Sequence, residues 1–182
     1  MKKILFFVLI SITTLNLSLY AKEDQKLYLL PKESDLALKS LLKNIDLSKE
    51  EIKLSIYTFT NKKIAKRLKN AAKRGVKIEI IFDDSQSRKR DTKSMLYYLS
   101  KYKNIKTYRL KPVSKHKRKY SPIMHIKMAL IDKKISIFGS ANWTNMAFSK
   151  NYETLFITKD YQIAKKFLKF FKEQKESAKL YR

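Results

Sequence analysis

The stretch from Ile52 to Phe82 constrains the fold most, because it reads as a strand, a helix and a second strand in succession. Ile52–Thr60 alternates apolar and polar residues, as a strand does. Asn61 then caps a helix with apolar residues three or four apart, and Gly75 ends it. Val76–Phe82 is rich in β-branched residues. This order predicts a βαβ unit, in which two parallel strands share one sheet.

The rest of the chain alternates in the same way. We therefore predict an α/β fold with a mixed, largely parallel β-sheet sandwiched by helices. Further strands are predicted at Lys26–Pro31, Ile105–Leu110, Met124–Asp132, Ile135–Phe138 and Tyr152–Thr158. Further helices are predicted at Asp35–Ile45, around Met95–Leu99, and from Asp160 onward, the last burying Ile163, Phe167, Phe170 and Phe171. At 182 residues in all, residues 22–182 are expected to form a single domain.

Residues 1–21 have the layout of a secretory signal peptide. Lys2 and Lys3 precede an apolar run, and Ala21 stands before a charged stretch. We expect cleavage after Ala21 and a periplasmic or secreted protein. An uncleaved membrane anchor is the alternative, because the run approaches the ~20 residues that span a bilayer. The chain has no cysteine, so it forms no disulfide.

The charge points to a polyanionic partner. Lys and Arg number 42 against 16 Asp and Glu, a net charge of +26 at pH 7. Nucleic acid (DNA or RNA) and an anionic membrane surface both fit. The alternative is a basic face that is simply solvated and binds no partner. The predicted nucleic-acid rim combines a basic loop with the single tryptophan, which could equally be a core aromatic. Its members are Lys115, His116, Lys117, Arg118, Lys119 and Trp143.

Phosphoryl chemistry is indicated by the segment HIKMALIDKKISIFGSANWTN. His125 and Lys127 lie on one face of a strand, about 7 Å apart, so one phosphate could contact both. A neutral imidazole can attack phosphorus while an ammonium group neutralises the phosphoryl oxygens. Gly139 permits close backbone approach, and Ser140 and Asn142 add hydrogen-bond donors.

A carboxylate follows in the next predicted strand. Glu153 lies among apolar residues on its face of the strand, where it can hold a histidine ring in one tautomer. Taken singly, each of these residues is also common at positions without a catalytic role, and an aspartate such as Asp132 is common in turns. Their joint spacing is what indicates a site.

The spacing His125-x-Lys127, Asp132, then Gly139-Ser140-x-Asn142 resembles the HKD motif of the phospholipase D superfamily. The short chain with one motif and an export signal is similar to the small bacterial exported endonucleases of that superfamily. The resemblance implies a phospholipase D-like α/β/α fold. It also implies that His125 is the nucleophile, Lys127 binds phosphate with Gly139, Ser140 and Asn142, and Glu153 orients the histidine. Asp132 matches the motif aspartate, and the strand pattern turns it away from His125, so we expect it to support the structure.

The reaction that the resemblance implies needs two histidines, one to attack and one to protonate the leaving oxygen. The chain has only His116 besides His125, and His116 has no HxK pattern around it. We therefore expect a two-fold homodimer in which each chain supplies His125 to a shared site. With two histidines and no cysteine, no metal site and no cofactor are expected.

Three functions remain open from the sequence. The preferred one is a metal-independent, sequence-nonspecific endonuclease with strong salt dependence. A phospholipid-cleaving enzyme is the first alternative, because the same site can act on a lipid headgroup diester and export places the protein near membranes. A basic DNA-binding or uptake protein without catalysis is the second.

Overall fold

The computed structural model describes residues 25–87, 93–112 and 122–181. The predicted signal peptide (1–21) and the basic residues 115–119 lie outside these ranges and stay predictions. In the described ranges we find eight strands and four helices. In chain order they are β1 Gln25–Leu30, α1 Ser34–Leu47, β2 Glu51–Ile56, α2 Lys62–Lys73, β3 Lys77–Asp83, α3 Leu96–Ser100, β4 Ile105–Leu110, β5 Lys127–Ile131, β6 Ile135–Gly139, β7 Glu153–Thr158, α4 Tyr161–Glu176 and β8 Lys179–Leu180.

The strands form one mixed sheet in the order β1-β7-β6-β5-β2-β3-β4-β8. The prediction of a mixed sheet flanked by helices is confirmed, but "largely parallel" is wrong. Only β2–β3 and β3–β4 pair in parallel, while the other five pairings of the described strands are antiparallel. The reason is connection length: β5 and β6 are joined by a tight turn, and such a turn can join only antiparallel strands.

Helices cover both faces of the sheet, which gives three layers. Helices α1, α2 and α3 bury Leu41, Ile64 and Leu99 on one face, in the larger core cluster. Helix α4 buries Phe167 and Phe171 on the other face, in a smaller cluster. The prediction that Phe170 is buried with them is wrong, because that side chain is exposed.

The residues predicted to begin and end the helix of the βαβ unit do so in the structure. The Asn61 side chain accepts a hydrogen bond from Ile64 N at 3.1 Å and so caps α2. Gly75 has φ +103°, a conformation that glycine adopts without steric cost, just after α2 ends. In the part of the chain that the structure describes, no helix has the length and apolar character that spanning a bilayer requires.

Candidate active site

His125, Lys127, Gly139, Ser140, Asn142 and Glu153 lie where the ends of four neighbouring strands meet. The carboxyl end of β2 lies beside the start of β5, since Ile56 pairs with Lys127. The carboxyl end of β6 lies beside the start of β7, since Gly139 pairs with Leu155. Because β5 and β6 are antiparallel, all four strand ends lie on the same side of the sheet, across the strand direction.

The side chains of His125 and Lys127 both contact the ring of Tyr57. The His125 and Tyr57 ring centroids are 4.7 Å apart, with the rings edge to face, and Lys127 Nζ lies 5.1 Å from the Tyr57 centroid. The residue between them, Ile126, packs toward α4, as strand alternation requires. His125 is exposed and can meet a substrate, whereas Lys127 is only 6% exposed.

Burial lowers the pKa of Lys127 from the ordinary lysine value, and the nearby negative charge of Glu153 opposes this shift. The ammonium group also donates a hydrogen bond to the His125 carbonyl oxygen at 3.0 Å. That bond uses one of its three N–H groups. The side chain is therefore held beside His125 with its charge weakly compensated, which favours an anionic phosphate as an additional partner.

Glu153 accepts hydrogen bonds from Ser140 Oγ and from Asn151 Nδ2, the latter at 3.3 Å. Among the described residues, no hydrogen bond joins Glu153 to the His125 imidazole. The orienting role that the resemblance implies for Glu153 therefore stays a prediction. What the geometry does provide is a carboxylate that fixes Ser140 and places a negative charge near Lys127.

The segment after β6 is held close to β7 and β2. Ser140 N donates to Thr154 O at 3.1 Å, and a Cβ on Gly139 would lie 2.1 Å from that same oxygen, so only glycine fits. Asn142 Oδ1 accepts a hydrogen bond from Thr58 N at 3.2 Å. Its Nδ2 makes no hydrogen bond to a described residue, which leaves a donor for a phosphate oxygen.

Asp132 lies at the opposite end of the β5–β6 hairpin. Its carboxylate accepts hydrogen bonds from the backbone N–H groups of Lys49, Glu50 and Glu51, at 2.9, 2.8 and 3.0 Å. Both oxygens are occupied in tying the hairpin to the start of β2. Asp132, which the motif groups with the catalytic His125 and Lys127, therefore lies away from them, and its contacts are those of the supporting role expected from the strand pattern.

Trp143 does not belong to a nucleic-acid rim. Its side chain is 2% exposed and packs edge to face against Phe59, with centroids 5.2 Å apart. Its carbonyl oxygen accepts from Thr60 N and Asn61 N, so its backbone ties the segment after β6 to the loop after β2. The core reading, left open by the sequence, is the correct one, because a large apolar ring gains most from burial.

Two residues at the site escaped the sequence analysis. Tyr57 contacts both His125 and Lys127, and Gln86 donates to the Tyr57 hydroxyl at 3.3 Å. Tyr57 lies in a strand-like run, and Gln86 in a polar turn. Nothing in the sequence around Tyr57 or Gln86 indicates a functional role. The pairing of β2 with both β3 and β5 is what brings the two residues to the site.

No metal centre is visible among the described side chains. Within residues 25–87, 93–112 and 122–181, no three His, Cys, Asp or Glu residues lie together in a way that could hold a metal ion. The expectation of a reaction without metal or cofactor stays a prediction.

A mixed sheet between helix layers, with an HxK pair at the meeting point of its strand ends, defines a phospholipase D-like domain. The sequence profile described as "Cardiolipin synthase, PLD-like domain" matches residues 41–175. The chain therefore belongs to the phospholipase D-like family, and the predicted family is confirmed.

Proteins of similar sequence include two named enzymes. The chain is 31% identical to phospholipase D of Rickettsia conorii over 139 residues, 76% of this chain and 64% of that protein. It is 28% identical to mitochondrial cardiolipin hydrolase of Xenopus laevis over 138 residues, 76% of this chain and 60% of that protein. The chain thus spans less than two thirds of the length of these relatives.

Two solved structures are similar to this chain over nearly their whole length. NucT from Helicobacter pylori matches with a TM-score of 0.83 and 38% identity, over 86% of this chain and 98% of that one. Nuc from Salmonella typhimurium, a phospholipase D family member, matches with a TM-score of 0.71 and 28% identity, over 87% and 97%. The predicted phospholipase D-like fold is confirmed.

Proposed function

We propose that the protein is a metal-independent, sequence-nonspecific endonuclease that cleaves nucleic-acid phosphodiesters through a phosphohistidine intermediate at a site shared by two copies of the chain. The observation that carries the proposal is the pair His125 and Lys127, held together over Tyr57 at the strand ends of a strongly basic phospholipase D-like chain.

The chemistry follows from what each group can do. The His125 imidazole attacks phosphorus and forms a P–N bond, while the bond from phosphorus to the leaving oxygen breaks. The partner's His125 donates a proton to that oxygen. It then takes a proton from water, whose oxygen attacks phosphorus and releases His125. Lys127, and Asn142 through Nδ2, bind the phosphoryl oxygens throughout.

A second copy is proposed because the described part of the site holds no second histidine to protonate the leaving oxygen. His125 is the only histidine within the described residues, and His116 lies outside them. The surface offers a place for the copy. On the α4 face, β1 exposes Leu27 (55%) and Leu29 (54%).

Two aromatic side chains continue this surface, because Phe156 pairs with Leu27 and contacts the ring of Phe138 on β6. We call Leu27, Leu29, Phe138 and Phe156 the open sheet face. Lys127 and Glu153 project from the opposite face of the sheet, so a copy seated on the open sheet face reaches the site by extending past the ends of β6 and β7, where Ser140 and Glu153 lie. Burying this apolar surface would stabilise such a pair.

Nucleic acid is proposed as the substrate because the net charge of +26 favours a polyphosphate with many contacts. Tyr152, 92% exposed and next to Glu153, presents an aromatic side chain on which a base can stack. Binding through phosphates is blind to sequence, so we expect little sequence preference. Affinity should fall steeply as salt rises, and binding that did not weaken with salt would count against a nucleic-acid substrate.

Phospholipid cleavage is the second candidate, and the names of the similar proteins favour it: phospholipase D and mitochondrial cardiolipin hydrolase. The same residues can act on a lipid diester, and the basic surface can associate with an anionic membrane. A DNA-binding protein without catalysis is the third, but an intact set of His125, Lys127 and Asn142 argues against it.

One experiment separates the three. Purified residues 22–182 and the His125→Ala variant are incubated in EDTA with single-stranded DNA, duplex DNA, RNA and vesicles of an anionic phospholipid. We expect wild type alone to cleave nucleic acid. Cleavage of lipid alone supports the second candidate, and DNA retention by both proteins without cleavage supports the third. Activity that requires an added divalent ion would contradict the proposed mechanism.

Export to the periplasm or medium is also proposed, resting on residues 1–21. Cell fractionation with an antibody to the catalytic domain tests it. Mass spectrometry of the exported protein should find Lys22 at the N-terminus, whereas an intact N-terminus in the membrane fraction identifies the uncleaved anchor.

A further inference from the structure

Asp83 is a buried carboxylate to which the proposed reaction gives no role. It is the last residue of β3 and is 1% exposed. No ion pair joins it to a described residue, although the chain is rich in lysine and arginine. A carboxylate this deeply buried is costly unless hydrogen bonds compensate it. Its bonding partners therefore indicate what holds it in place.

Both oxygens of Asp83 accept hydrogen bonds, in two different directions. Oδ1 accepts from Ser85 N at 2.9 Å, from Ser85 Oγ and from Gln86 N at 3.3 Å, which shapes the turn after β3. Oδ2 accepts from Met124 N at 2.8 Å, 41 residues further along the chain. One side chain thus joins the turn after β3 to the segment that enters β5.

The hydrogen bond from Met124 N to Asp83 Oδ2 leads to the His125 backbone. Met124 directly precedes His125, and both lie before β5 begins at Lys127. Among the described residues, this backbone is held from two sides: Asp83 accepts from Met124 N on one side, and Tyr57 N donates to Ile126 O at 2.8 Å on the other. Asp83 therefore fixes the backbone on the side of His125 away from the strand.

The hydrogen bonds from the turn to Asp83 Oδ1 lead to the His125 ring. The turn that Asp83 shapes carries Gln86, which donates through Nε2 to the Tyr57 hydroxyl at 3.3 Å and accepts from Thr58 Oγ1 at 3.4 Å. Tyr57 in turn contacts the imidazole of His125 edge to face. One carboxylate thus supports both the backbone and the ring of the same histidine.

We infer that Asp83 is a positioning residue: it holds the His125 imidazole in line with the phosphorus atom through Met124 on one side and through Gln86 and Tyr57 on the other. The inference rests on the proposed role of His125 as nucleophile. A misplacement of about 1 Å can cost about a hundredfold in rate even when substrate still binds. A positioning role therefore predicts a loss in kcat with little change in KM.

Asparagine at position 83 separates this role from packing. It has nearly the same size as aspartate, but its amide keeps only one accepting oxygen. Whichever way the amide turns, an NH₂ group faces either Met124 N or the donors of the turn. The variant Asp83→Asn therefore weakens one of the two directions without leaving a cavity.

The matched control is Asp160→Asn. The Asp160 carboxylate also accepts a backbone hydrogen bond, from Ile163 N at 2.9 Å, and caps α4. It lies beyond the end of β7 away from Glu153, about 20 Å along the strand direction. Asparagine is an equally good cap, and the substitution changes the net charge by the same amount. It therefore controls for the effect of charge on substrate binding.

The kinetic experiment uses residues 22–182 with bis(p-nitrophenyl) phosphate, a small diester that does not depend on the basic surface. We expect Asp83→Asn to lower kcat between about tenfold and about a hundredfold with KM within about twofold. Asp160→Asn should stay within about twofold of wild type in both. A kcat for Asp83→Asn equal to that of Asp160→Asn would overturn the inference.

A second readout does not depend on activity. The chain has two histidines, so a long-range ¹H–¹⁵N correlation spectrum shows two imidazoles. Asp83→Asn should shift or broaden the His125 ring signals, and Asp160→Asn should not. His125 signals that coincide with those of wild type would contradict the positioning role. If wild type cleaves no diester, the proposed function fails, and this spectrum alone decides the position of the ring.

Gln86→Ala decides the case in which Asp83→Asn does not fold. Gln86 is exposed, so its truncation leaves the core intact. We expect kcat to fall several-fold, the His125 ring signals to shift, and Tyr57→Phe to add nothing further to Gln86→Ala, because both remove the same hydrogen bond. Wild-type kcat and ring signals in Gln86→Ala would overturn the inference.

Discussion

Lys127 carries a positive charge where water scarcely reaches, and this shapes how the site responds to pH. Burial lowers the pKa of its ammonium group from 10.5, and Glu153 only partly offsets the shift. Below that lowered pKa the group is charged and, in its proposed role, binds phosphate. Above it the group is neutral and the phosphate loses its partner. The alkaline loss of activity should therefore begin at a lower pH than an exposed lysine would give.

Lys127→Arg tests this assignment. Arginine stays protonated throughout the accessible range, so the alkaline limb of kcat/KM should move to higher pH. Because the planar guanidinium does not reproduce the ammonium contacts, kcat/KM at pH 7 should fall about tenfold or more. The measurement is a pH profile with a small diester, and Lys134→Arg on the exposed hairpin is the control. An unchanged alkaline limb in Lys127→Arg would remove Lys127 from phosphate binding.

At the scale of single residues, the sequence identified the side chains whose spacing along the chain is itself the signal. His125, Lys127 and Asn142 were found in this way and do converge. Tyr57 was missed because its role comes from pairing between distant segments. Trp143 could not be assigned from the sequence, which left rim and core open, because a lone aromatic residue gives no sign of whether its ring is buried.

At the scale of elements, the β5–β6 hairpin is tight and strained. Asp132 has φ +50° and Lys133 φ +56°, and Lys134 N donates to Ile131 O at 3.0 Å across the turn. Turns with two positive φ angles match the twist of antiparallel strands, but side chains other than glycine, asparagine and aspartate fit them poorly. Lys133 is exposed and makes the turn at a steric cost.

Lys133→Gly should therefore stabilise the protein by about 0.5 to about 1 kcal/mol, because the relief of strain exceeds the added entropy of the unfolded chain. Its neighbour Lys134, which is not in a positive φ conformation, is the control. Lys134→Gly should destabilise by a similar amount. Thermal and urea unfolding measure both, and changes of the same sign would be inconsistent with a strained turn.

The close contact of β6 with β7 gives a second prediction at this scale. A Cβ on Gly139 would meet backbone atoms of Thr154, so Gly139→Ala must separate the strands that carry Ser140 and Glu153. We expect a loss of more than about 2 kcal/mol in stability and loss of most activity. Gly75→Ala, at φ +103° with open space around it, should cost about 1 kcal/mol and spare activity. Equal effects of the two substitutions would contradict this account.

The strand and helix positions could be predicted because their signals are local. Ile105–Leu110 was predicted at its observed bounds, and the cap at Asn61 was confirmed. Strand direction could not be predicted in the same way, since β5 pairs with β2 across some seventy residues of chain. The two-residue strand β8 carries no pattern and exists only through its pairing with β4.

At the scale of the whole molecule, three properties support the same proposal. The chain carries a net charge of +26, its described residues contain one histidine at the site, and its open sheet face leaves Leu27 and Leu29 in water. A polyphosphate substrate accounts for the first. A second copy of the chain accounts for the other two, because it supplies a histidine and covers apolar surface.

The shared site is tested most directly by mixing chains. Differently tagged wild type and His125→Ala are allowed to exchange subunits in equal amounts, and cleavage of single-stranded DNA is measured in EDTA, together with the sedimentation of each protein. Random pairing places half of the wild-type chains in mixed dimers. A shared site therefore predicts that activity falls to about half of that of the same amount of wild type alone, and that isolated mixed dimers do not turn over. Full activity per wild-type chain in the mixture, or a fully active monomer, would contradict the account.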